Sequence, residues 1–113
     1  MHRTDLEVIR WSGDQKPDET SLRKMLDAEG LHPYVWSNNP GDVYGAHSHG
    51  YHKVICVVSG SITFGLPGSG DKVALHAGDR LELPPRVAHD AVVGPQGVVC
   101  LEARREFDFQ SRM

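Results

Sequence analysis

From Tyr34 onward, short apolar runs alternate with clusters of turn residues, and this rhythm predicts strands. Strands are expected at residues 34–36, 43–49, 53–59, 61–66, 72–76, 79–83, 88–93 and 98–104. The breaks between them fall at Asn38-Asn39-Pro40-Gly41, Ser59-Gly60, Pro67-Gly68-Ser69-Gly70, Ala77-Gly78-Asp79, Pro84-Pro85 and Gly94-Pro95. Many short strands at even spacing point to a β-sandwich or barrel. Within residues 61–66, Phe64 and Leu66 alternate with Thr63 and Gly65, which marks the first two as core. Ahead of the strands, Leu6, Val8 and Ile9 suit a short edge strand. Residues 18–29 read as a helix: Pro17 precedes it, Asp18 and Glu19 suit its positive end, and Leu22, Met25 and Leu26 form an apolar stripe. Gly30 and Pro33 stop it.

Length and composition narrow the class without naming it. At 113 residues the chain makes one domain, large enough to bury a core without a disulfide or structural metal. A net charge of -3 and no basic stripe argue against nucleic acid as a partner. The apolar run at residues 54–58 is too short to span a bilayer, so no membrane association is expected. Residues 1–10 lack the apolar centre of a signal peptide, which leads us to expect a cytoplasmic protein. Cys56 and Cys100 sit inside β-branched apolar runs and read as small buried hydrophobes; their spacing is not that of a redox or zinc pair.

The chemistry lies in the histidines. Three of the seven crowd into Gly45-Ala46-His47-Ser48-His49-Gly50-Tyr51-His52. On a strand His47 and His49 point the same way, and two imidazoles on one face can bind one metal ion. A solvated or hydrogen-bonded pair beside a turn is the competing reading.

Residues 41–60 resemble the first sequence motif of the cupin superfamily: glycine, five residues, His-x-His, three or four residues, glutamate, six residues, glycine. Here the positions are Gly41, His47-Ser48-His49, Lys53 and Gly60. Residues 78–93 are similar to the second cupin motif, with Gly78, Pro84, Arg86 at its turn glycine, His89, and Val93 at its asparagine. The resemblance implies an all-β fold, the cupin double-stranded β-helix or jelly-roll barrel, here with one short N-terminal helix. It divides the chain into a segment at 1–33 packed on the barrel, the barrel at 34–104, and a tail at 105–113. It also implies that His47, His49 and His89 hold a divalent transition metal (iron, zinc, manganese, nickel or copper). Small cupins are often homodimers, so a second copy is an expected partner, and Phe107 and Phe109 of the tail would pack on it.

Lys53 departs from the motif in a way that matters. A divalent cation about 5 Å from a charged lysine is repelled by about 6–7 kcal/mol at an effective dielectric of ~20. Three arrangements resolve the conflict. Lys53 is neutral and acts as a base, nucleophile or ligand, which makes it the candidate catalytic residue. Or it bends to a carboxylate such as Glu82 or Glu102. Or the site is metal-free and binds an anion. His52 could complete a four-nitrogen set, although strand alternation turns it away from Lys53, which favours a surface position. His2, His32 and His76 read as surface or loop residues. Trp36 is expected in barrel packing, with Tyr44 and Tyr51 partly exposed; a ligand pocket is the alternative for all three. Arg86 reads as a solvated turn residue. Two functions follow: a metal-dependent enzyme acting on a small molecule (an oxygenase, isomerase or lyase), or a non-catalytic module that binds a sugar or organic acid.

Overall fold

The computed structural model describes residues 6–105. In chain order the elements are β1 (Glu7–Ile9), α1 (Glu19–Ala28), β2 (Tyr34–Asn38), β3 (Val43–His47), β4 (His52–Leu66), β5 (Asp71–His76), β6 (Arg80–Leu83) and β7 (His89–Arg105). The expected tail thus lies outside the described residues except for Arg105, and so does His2.

Strands expected as separate at 53–59 and 61–66 are one strand, β4, and those at 88–93 and 98–104 are one strand, β7. The physical reason is a pair of opposed bulges. Gly60 (φ 78°) and Gly97 (φ 77°) both take the left-handed backbone conformation, and a Cβ on Gly60 would overlap the Gly97 carbonyl. The β4–β7 register shifts on either side of Gly60. The two long strands therefore bend together without breaking. Their first and last halves serve opposite walls. One wall runs β1-β6-β4-β7-β2; on the other, β5 joins β4 and β3 joins β7. The result is a β-barrel closed around the bent β4–β7 pair.

Both faces of β4 are buried, which explains its nearly continuous apolar sequence. Ile55, Val57, Ile62 and Phe64 fill the barrel together with Leu75, Leu81 and Cys100. Val54 and Cys56 face outward and pack with Leu101 and Ala103 of β7 under Leu22, Leu26 and Leu31. Helix α1 lies on that outer layer. Asp18 caps it by accepting from the Ser21 N–H at 2.8 Å. Its end is a Schellman turn: Gly30 N–H donates to Asp27 O and Leu31 N–H to Leu26 O, while Leu31 is buried beside Leu26. Met25, expected in the apolar stripe, is 49% exposed, because the buried stripe is narrowed to Leu22 and Leu26.

An ionic chain fastens the helix end to the barrel. Arg80 forks onto Glu29 at 2.6 and 2.7 Å and reaches Glu82 at 3.0 Å. Arg105 bridges the same two carboxylates, and His52 Nε2 lies 2.6 Å from Glu82. Hydrogen bonds from Arg80 hold the Glu29 carboxyl at about 2. Burial pushes the Glu82 carboxyl up, but Arg105 and His52 outweigh it and keep it below its usual range. Both groups are depressed on folding, so the unfolded chain takes up protons first as pH falls. The Glu29 contribution is complete above about 4.5 and drains away toward about 2, and that of Glu82 is likewise lost on the acid side. The urea midpoint is accordingly expected to fall as pH drops from about 5 to about 3, and to fall less in Glu29→Gln.

Candidate metal centre

Strand β3 ends at His47, two residues earlier than the sequence pattern suggests. His49 sits in the connection that follows, where its carbonyl accepts from the Arg86 N–H at 2.7 Å. That bond ties the His49 segment to the turn preceding β7, and His89 opens β7 directly opposite His47. The ligand atoms of His47, His49 and His89 come within 4.8 Å of one another. Their ring centroids are 4.4 to 5.1 Å apart.

Two of the three rings are oriented for a metal. His47 Nδ1 donates to Gly45 O at 2.8 Å and His89 Nδ1 to Val87 O at 2.9 Å, which leaves each Nε2 as the free donor atom. His49 lacks such a support: its Nδ1 is buried with no partner among the described residues, and its Nε2 lies 3.4 Å from Lys53 Nζ. Burial first, then the charge of Lys53, pushes His49 down to about 4. Burial also lowers His89. Both imidazoles are therefore neutral near pH 7, the form that binds metal. The orphaned His49 nitrogen and the shared focus of three imidazole rings fit a transition-metal ion.

Lys53 takes the second of the three arrangements. Its Nζ is 3.0 Å from Glu102 Oε2, and both side chains are largely buried. Glu102 also accepts from Tyr34 Oη at 2.6 Å and Trp36 Nε1 at 2.8 Å. The Tyr34 ring is over half exposed, but its hydroxyl turns inward; burial and then Glu102 push the phenol up to about 12, so it remains a donor. A positive charge at the motif's glutamate position is thus matched by a carboxylate from the next strand. His52 faces the other side of β4 and pairs with Glu82, so it is neither a fourth nitrogen for this cluster nor a bare surface histidine. His32 and His76 are exposed.

His47 and His89 open onto a cavity of about 310 Å³, whose wall includes Trp36, Tyr44, Lys53, Phe64 and Glu102. Trp36 and Tyr44 therefore line a pocket as well as pack. Tyr44 donates to Asn38 Oδ1. Glu102 is the cavity residue that sequence reading placed least well, since it entered only as one of two partners for Lys53. A single acid following Val98 and Cys100 on the inward face of β7 was the available signal.

Arg86 is exposed and lies outside this cavity. It holds φ at 67°, a conformation that disfavours a side chain and explains why the cupin motif has glycine there. Arg86→Gly is expected to stabilise the fold by about 0.5–1 kcal/mol, net of the added freedom of the unfolded chain, and thermal melting would show it.

No protein-family model matches the chain, and no curated protein sequence matches it. Solved structures do. A cupin-2 domain protein from Shewanella frigidimarina aligns with a TM-score of 0.57 at 14% identity, over 67% of this chain and 71% of that one. KdgF from a Halomonas species aligns at 0.54 and 23% identity, over 93% and 81%. A DMSP lyase structure aligns at 0.60 and 25% identity, over 71% of this chain and 40% of that one. Among the described residues no helix is long and apolar enough to cross a membrane. Barrel, motif order and structural neighbours agree: this is a cupin-like protein with a β-barrel cupin fold and a three-histidine group that could hold a metal ion.

Proposed function

We propose that the protein is a metal-dependent enzyme acting on a small molecule, of the lyase or isomerase type, with His47, His49 and His89 as metal ligands and Lys53 as the catalytic residue. The observation that carries this reading is the convergence of three imidazoles, two of which, His47 and His89, stand in the wall of a cavity of ligand size. A divalent metal held there would supply Lewis-acid polarisation of a substrate oxygen.

The chain's own residues divide the remaining work. Glu102 holds Lys53 at the cavity wall, and Tyr34 and Trp36 hold Glu102. The position of Lys53 in the cavity wall, 3.4 Å from His49 Nε2, supports a role in giving a proton to a molecule bound in the cavity. Trp36 and Phe64 give the cavity wall an apolar part. An oxygenase role has less support, because a positioned proton carrier suits elimination or isomerisation. The DMSP lyases among the structural neighbours favour the same choice. The alternative of a metal-free anion module loses its motive, since the charge of Lys53 is already taken by Glu102.

The reading is tested by incubating metal-loaded protein with DMSP and following the mixture by proton NMR. Elimination is expected, lost in His47→Ala and strongly reduced in Lys53→Met with metal still bound. Full activity in both variants would refute it. If DMSP is inert, exchange of substrate C–H for deuterium across a set of small carboxylates decides whether Lys53 moves protons at all.

A further inference from the structure

Two cations stand opposite each other on β4 and β7. Lys53 and Arg104 are direct register partners, so their side chains leave the same face of the sheet. Like charges so placed repel, and Glu102 relieves only one of them. The Arg104 guanidinium lies over the Tyr51 ring at 3.8 Å from its centroid. Among the described residues it makes no hydrogen bond or ion pair. Stacking covers the flat face of a guanidinium and leaves its edge, which carries the N–H donors, open.

Arg104 is not itself in the cavity wall, but Lys53, opposite it on β4, and Glu102, two residues before it on β7, are. Tyr51 lies 5.0 Å from the His49 ring. Tyr34, exposed and part of the cavity wall, is close enough to Arg104 for its phenol to feel the charge.

We propose that Arg104 is the docking point for the carboxylate of a small organic acid, whose body enters the cavity toward the three histidines. A guanidinium held by stacking is a preorganised fork for a planar carboxylate. Aromatic walls at Trp36, Tyr44 and Phe64 suit an organic body and offer nothing to a bare inorganic ion. A cavity of about 310 Å³ sets the ligand at the small end of the usual range. The inference rests on the proposed function for what happens at the histidine end, but not for the carboxylate end.

Isothermal titration of metal-free protein with benzoate, glutarate and inorganic phosphate tests it. At least one organic acid is expected to bind the wild type and Arg86→Gln equally. The same acid should bind Arg104→Gln about ten-fold or more weakly, with partial recovery in Arg104→Lys. Tyr51→Leu, which removes the stack and keeps the charge, should also weaken binding. Equal affinity in wild type and Arg104→Gln overturns the proposal. So does the absence of binding by both organic acids, or phosphate binding as tightly as they do. Metal uptake by Arg104→Gln should be unchanged. Carboxylate binding by a wild type that takes no metal would refute the metalloenzyme and leave Arg104 in its role.

Discussion

Glu102→Gln is expected to weaken metal binding by about two orders of magnitude, and Lys53→Met to strengthen it by a similar factor. The bare repulsion between a divalent ion and a charged lysine about 5 Å away is about 6–7 kcal/mol at an effective dielectric of ~20. Glu102 offsets much of it at 3.0 Å from Lys53. Removing either charge uncovers the other, and solvent at the cavity mouth trims the effect to about 2–3 kcal/mol. The two variants therefore shift affinity in opposite directions, a signature that general loss of packing cannot produce. In metal-free protein both should lower stability, by about 3 kcal/mol, because each leaves one buried charge alone. Glu102 keeps its bonds from Tyr34 and Trp36 in Lys53→Met, so that variant should be the milder of the two. Competition with a chelator gives the affinities, and urea unfolding gives the stabilities. Shifts of the same sign in metal affinity would mean that the pair does not act through charge.

The second large effect is expected far from the histidines. Gly60→Ala should destabilise the fold by about 3–5 kcal/mol in urea unfolding. A left-handed backbone costs an alanine about 1–2 kcal/mol. The added methyl also meets the Gly97 carbonyl, a backbone atom that cannot swing aside. Gly68→Ala is the control, since a Cβ there has open space and no left-handed φ; it should change stability by less than about 0.5 kcal/mol. The bend at Gly60 carries β4 from one wall to the other. Loss of it should therefore cost the register that brings Lys53 beside Glu102, and metal affinity should fall with stability.

Much of this architecture was legible in the sequence. The alternation from Tyr34 onward, the helix with acids at its start and the Gly30 stop correspond to elements found in the structure, and the two motifs placed His47, His49 and His89 together. Strand ends were less legible. Gly60 and Gly94-Pro95 read as turns because a glycine in a bulge and a glycine in a hairpin look alike along the chain; the difference lies in whether the opposite strand bends with it. His52 read as a surface residue because its partner, Glu82, lies 30 positions away on β6. Still larger separations in sequence hid the bonds of Glu102 to Tyr34 and Trp36 and the stack of Arg104 on Tyr51. Local pattern encodes the face on which a side chain lies. Which charge meets which depends on register, and register is set by the paired bulges.

The most direct measurement is elemental analysis of untagged protein after incubation with iron, zinc, manganese, copper and nickel, beside a His47→Ala/His49→Ala control. About one metal ion per chain, absent from the control, is the result this account predicts. No bound metal from any of the five, or equal metal in the control, would contradict it.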